Sequence, residues 1–143
     1  MHYRSSALLS VFLSFIATSA LAESAIEQRQ ATFKNMKETV AALKDQLKEP
    51  DYDKARTQAE SILEDAKAVT ELFPEGSYEG DTRAKKKIWE KYDDFQARQQ
   101  TLIDHAEELL AATDSDDKKQ LKSAFKTLSK DCKGCHMRYR QVF

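Results

Sequence analysis

Residues that break helices are scarce in this 143-residue chain: three glycines, Gly76, Gly80 and Gly134, and two prolines, Pro50 and Pro74. So few breakers imply few turns and long helices. Strand-like alternation and internal repeats are also missing, which argues against a sheet. Charge of one sign is lacking too. Lys and Arg number 23 against 24 Asp and Glu, for a formal charge of −1. That balance predicts no basic face for nucleic acid and no polybasic membrane tail. The apolar run from about Ala7 to Ala17 is shorter than the roughly 20 residues of a spanning helix.

What the N-terminus does carry is a basic start at Arg4, the short apolar run, and small residues at Ala20 and Ala22. This pattern predicts a secretory signal peptide over residues 1–22, cleaved after Ala22, with no membrane insertion afterwards. Its removal takes away Arg4 and no acid. The domain over residues 23–143 then holds 22 basic and 24 acidic residues, a charge of −2.

Four helical stripes follow. Ile26, Phe33, Met36, Val40, Leu43 and Leu47 step by three and four once Arg29 fills the gap, with Ser24 as the expected cap and Pro50 as the stop. Ala55, Ala59, Ile62, Ala66, Val69 and Phe73 form a second stripe, starting near Asp51 or Asp53 and ended by Pro74. The segment 74–81 is the one long loop. A third helix, capped by Asp81, is expected through Ile88, Tyr92, Phe95, Gln99, Leu102, Ala106 and Leu109. After the cap-rich stretch 113–117 comes the cleanest stripe: Leu121, Phe125, Leu128, Cys132, Cys135, Tyr139 and Val142. The predicted fold is all-α, an antiparallel up-down-up-down four-helix bundle.

Both cysteines of the chain fall in "CKGCH", with His136 directly after Cys135. A zinc site needs about four ligands, and here there are three with no second cluster. A thiol-disulfide catalyst places its pair at a helix start in a strand-helix fold, not far along a helix. Covalent haem is the third chemistry: each thiol joins a vinyl group and the histidine binds iron. Helical spacing lets one face present all three groups, and an exported chain suits haem c, which is attached outside the bacterial cytoplasm. One haem c per chain is therefore expected. Arg29 interrupts its apolar stripe and needs an anionic or aqueous partner. A haem propionate would serve, and snorkelling to water is the plainer alternative.

These residues resemble the class II c-type cytochromes, most closely cytochrome c prime. "CKGCHMRYR" near the C-terminus, with Tyr139 and Arg140, matches the family's attachment motif. "EQRQATF", with Arg29 and Gln30, matches its N-terminal arginine and glutamine. "LFPEGS" and "TRAKKKIWEKYDDF" resemble its loop and third helix, including the Ile88–Trp89 pair. Where many members have proline before that pair, this chain has Lys86 and Lys87, so an earlier helix start is expected.

In that family the residue four after the arginine faces the iron, and here it is Phe33. The resemblance implies a periplasmic, five-coordinate, high-spin haem protein that binds nitric oxide and carbon monoxide and exchanges one electron with a redox partner, without enzymatic activity. It also implies a homodimer through the first two helices, although exposed charge there suits a monomer equally. The alternative is a six-coordinate, low-spin electron carrier with Met36 as sixth ligand, against the reading of Met36 as core filling. Trp89 and Tyr139 are expected as core aromatics that also touch the porphyrin. Met137 projects from the histidine's own side, and His105 is expected to be a solvated flank residue.

Overall fold

The computed structural model describes residues 9–142, with side chains from residue 21. Among these, the helices are α1 (Leu9–Gln46), α2 (Tyr52–Val69), α3 (Lys87–Glu90), α4 (Tyr92–Ala112) and α5 (Lys118–Tyr139). Short 3-10 turns at Thr70–Leu72 and Thr113–Ser115 follow α2 and α4. The four long helices form the expected bundle, with α1 against α2, α2 against α4 and α4 against α5. No helix among the described residues is long and apolar enough to cross a membrane. The first eight residues of the expected leader lie outside the described residues.

Start and stop chemistry explains the boundaries of α2 and α5. Asp51 accepts a hydrogen bond from the Lys54 backbone N–H at 3.1 Å, and Asp117 accepts from Lys119 N–H at 2.7 Å. Each bond satisfies a donor that the first helical turn leaves without a partner. The expected cap at Ser24 is not one: α1 runs straight through it, and its hydroxyl accepts from the Gln28 side chain instead. The Ala- and Leu-containing residues before Ser24 are good helix formers and do not stop the helix there.

The third helix differs more. Asp81 does not cap it, and it starts no earlier than Lys87. Residues just before it pair with the chain's end instead: Lys85 N–H donates to Tyr139 O at 2.9 Å, and Gln141 N–H to Arg83 O at 2.8 Å. That pairing holds the segment against the chain's end, with the Lys85 N–H as donor and the Arg83 carbonyl as an acceptor that an earlier helical turn would need. The helix then breaks at Lys91 (φ −132°, ψ 47°) before α4. The same pairing turns Arg140 extended and ends α5. Val142, expected on the α5 stripe, is consequently 85% exposed.

Two apolar clusters fill the bundle. Leu43, Ala55, Ala59, Ile62, Ala106, Leu109, Leu121, Phe125 and Leu128 form one. Its buried alanines let the helix backbones approach closely, and each large aliphatic side chain contributes about 1.5–3 kcal/mol by leaving water. Met36, Ala66, Val69, Leu72, Phe73, Ile88, Phe95 and Tyr139 form the other, beside the candidate site. Charge is unevenly spread. The α5 helix holds seven basic residues and one acid, Asp131, whereas α4 holds five acids and one basic residue, Arg98. The near-neutral total therefore hides a basic face that the overall balance does not predict.

Candidate haem-binding site

A cavity of about 540 Å³ opens between α1, the extended segment before α3, and the C-terminal half of α5. That volume falls within the usual range of about 300–1,000 Å³ for small-molecule and cofactor sites. Phe33, Phe73, Ile88 and Phe95 supply its apolar wall. Cys135, His136, Tyr139 and Arg140 come from α5 and its end, and Arg29, Gln30, Lys34 and Lys37 come from α1.

Both thiols are free and half-buried. Burial pushes the Cys135 thiol up to about 11 and raises Cys132 as well. Thiols so protonated are poor nucleophiles, which removes the ground for a thiol-disulfide catalyst. Cys135 lines the cavity, while Cys132 lies one turn back on α5 and is not part of the wall. His136 is accessible from the open cavity, yet surrounding protein and the Arg140 charge hold it below the ordinary imidazole range. It is therefore neutral at pH 7, the form with a lone pair for a metal. Its ring meets Phe33 edge to face, with centroids 6.1 Å apart.

Arg29 neither snorkels to water nor lacks partners. It is 5% exposed and donates to Leu72 O (2.9 Å), Ser77 O (3.2 Å), Ser77 Oγ (2.6 Å) and Thr82 Oγ1 (3.0 Å). Its guanidinium lies 4.1 Å from the Phe73 ring centroid. Burial lowers its pKa to about 10, so it stays charged at neutral pH. Four of its five N–H donors are engaged with the loop, and the group still borders the cavity. Gln30 works beside it, donating to Asp81 O at 2.7 Å. Together they clamp the 72–82 loop onto α1, a role that sequence spacing did not reveal.

Other residues depart from expectation. Met36 is buried among Ala66, Val69 and Phe73 and does not line the cavity, so packing makes it core filling rather than a cavity ligand. Trp89 also stays out of the cavity. Its indole N–H is shared between Phe73 O (3.2 Å) and Pro74 O (3.0 Å), which turns the ring toward the loop. Tyr139 does line the cavity, and its hydroxyl donates to Asp94, a carboxylate also held by Arg98 and Arg138. Those contacts keep Asp94 below the usual carboxylate range. Met137 is 66% exposed and off the wall of this cavity. His105 is partly exposed on the flank, as expected, but it has a partner that the spacing did not name. Its Nδ1 meets the Asp131 carboxylate at 2.5 Å.

Sequence reasoning missed Lys34 and Lys37 on α1, and Phe73, Ile88 and Phe95 as cavity walls. The four-residue spacing from Phe33 was signal enough for Lys37, and Lys34 is three residues from Lys37. The three apolar residues read equally well as core.

A helical bundle whose last helix brings Cys-x-x-Cys-His to an apolar cavity with a cationic rim is a c-type haem protein. The donor set fits the group: a neutral imidazole, two thiols one turn apart, flat aromatic walls, and cations for propionates. The family model for Cytochrome C' matches residues 24–140. Cytochrome c-556 of Agrobacterium fabrum is 36% identical over 118 residues, 80% of each protein. Cytochrome c prime from Shewanella frigidimarina superposes with a TM-score of 0.81 at 34% identity, over 85% of this chain and 97% of that one. A variant of cytochrome c prime from Alcaligenes xylosoxidans, solved as its nitric oxide complex, gives 0.79 at 26% identity, over 85% and 97%. The chain belongs to the cytochrome c prime family and carries one covalently attached haem c.

Proposed function

We propose that the protein is a periplasmic, five-coordinate haem protein that binds nitric oxide and carbon monoxide and passes single electrons. The observation that carries this reading is Phe33 opposite His136 across the cavity. Haem, when bound, would supply an iron that cycles between ferric and ferrous and can take up a diatomic gas. Cys132 and Cys135 would hold the porphyrin, His136 would ligate the iron, and Arg29 and Arg140 would offer N–H donors to propionates. Phe33 has no lone pair to donate, so it shields the opposite face without filling it. It also offers no hydrogen bond, which disfavours stable oxygen carriage. The nitric oxide complex of the Alcaligenes xylosoxidans variant supports the same ligand here.

Residues 1–22 act as an export signal in this reading, and cleavage after Ala22 would start α1 at Glu23. The protein is a ligand binder and carrier rather than an enzyme, because Phe33 provides no acid-base group over the iron. A low-spin carrier with Met36 as ligand gains no support from its packing.

Titration of the ferrous protein with carbon monoxide tests the proposal. Saturable binding of one gas per chain is expected, and Phe33→Ala should speed association. Absence of binding would remove the gas-ligand reading.

A further inference from the structure

We propose that the exposed face joining α1 and α5 beside His136 docks an acidic electron-transfer protein, steered by lysines on both helices. The inference rests on the reading of the chain as a one-electron carrier. Residues three and four apart share a helix face. Lys122, Lys126 and Lys133 therefore form one exposed strip of α5 running toward His136. Across the cavity, Lys34, Lys37 and Lys44 form an exposed strip of α1, and the first two line the cavity with His136 and Arg140. Among the described residues, no carboxylate lies within ion-pair distance of any of these six lysines.

A second hollow, of about 300 Å³, adjoins the first and is lined by Lys133, His136, Met137, Arg140 and Val142 among others. Met137 and Val142 are 66% and 85% exposed. An apolar spot ringed by cations at the edge of a redox centre has the anatomy of a docking site: an apolar contact with a charged rim. The rim attracts an acidic surface over a Debye length and raises the encounter rate. The apolar spot then makes contact without desolvating a charge. Anionic lipid would attract the same lysines. However, two exposed apolar side chains fall short of the continuous apolar face with which an interfacial helix enters a bilayer.

The test is stopped-flow reduction of the ferric holoprotein by a reduced plant-type [2Fe–2S] ferredoxin, an acidic one-electron donor whose iron is oxidised as the haem iron is reduced. At low ionic strength the second-order rate should exceed that in strong salt by about tenfold or more. Lys126→Glu/Lys133→Glu should lower the low-salt rate about tenfold, and Lys126→Gln/Lys133→Gln by less. Lys54→Glu, a charge reversal on α2 outside both strips, should alter it less than about twofold. Reduction by dithionite, run in parallel, reports electron acceptance without docking. If dithionite reduces every variant but the ferredoxin rate ignores salt and the α5 lysines, the docking face is refuted. If dithionite fails on the wild type, the electron-carrier reading itself fails and the proposal goes with it. Binding to phosphatidylserine vesicles that needs Lys126 and Lys133, with an unchanged ferredoxin rate, would reassign the face to lipid and overturn the proposal.

Discussion

Phe33 on α1 and His136 on α5 meet edge to face across one cavity, with ring centroids 6.1 Å apart. The pair sets a residue without a lone pair opposite the imidazole proposed to hold iron. Changing that one residue should therefore change the coordination. Phe33→Met is expected to turn the ferrous protein low-spin, with two sharp visible bands and slowed carbon monoxide binding, because a thioether is a competent axial ligand of haem c. An unchanged spectrum would mean that position 33 does not face the iron.

Arg29 ties α1 to the loop after α2 through four hydrogen bonds, two of them to the backbone carbonyls of Leu72 and Ser77. Arg29→Met would strand those buried acceptors, at about 1–3 kcal/mol each. Urea unfolding should show a loss of about 3 kcal/mol or more. Arg29→Lys should recover only part, since one ammonium cannot reproduce the planar fork. Haem attachment should survive in both.

Attachment through Cys132 and Cys135 is part of the proposed reading and can be tested directly. Intact mass after denaturation and acid extraction should retain one haem in the wild type, because thioethers survive both treatments. Cys132→Ala/Cys135→Ala should give apoprotein mass under the same conditions. A wild-type mass without haem, after expression with haem-maturation machinery, would contradict the site.

The His105–Asp131 pair joins α4 to α5 directly before the attachment motif. The hydrogen bond that His105 donates to Asp131 is the main reason the imidazole titrates above its ordinary value. A raised folded pKa means stabilisation that is complete below the unfolded value of about 6.5 and lost as pH rises through the folded one. The wild type should therefore exceed His105→Gln by about 1 kcal/mol near pH 6, with the gap narrowing above neutrality. Paired urea titrations across that window check it, and a pH-independent gap would speak against the ion pair.

The stripes of α2 and α5 were legible because three- and four-residue spacing maps directly onto one buried face, and Cys-x-x-Cys-His was legible because its chemistry is local. The misreadings involve partners distant in the chain. Lys85 is extended because Tyr139 O accepts its N–H, and no local residue announces that; "RAKKK" alone reads as helix. The same pairing exposes Val142, which periodicity placed on the seam. The oxygens that satisfy Arg29 lie 43 to 53 residues away in a loop, so spacing could flag the buried charge without naming its acceptors. The partner of His105 could not be named because Asp131 is on the next helix. Charge balance misled for a related reason: a total of −1 says nothing of how the signs sort between α4 and α5.

The visible absorption spectrum of the ferrous holoprotein, before and after carbon monoxide, tests the central claim most directly. If Phe33 faces the iron as proposed, with Met36 in the core, one broad high-spin band is expected, changing strongly when gas is added. Two sharp low-spin bands that ignore the gas, and that disappear in Met36→Ala, would contradict the account and make the protein a six-coordinate electron carrier.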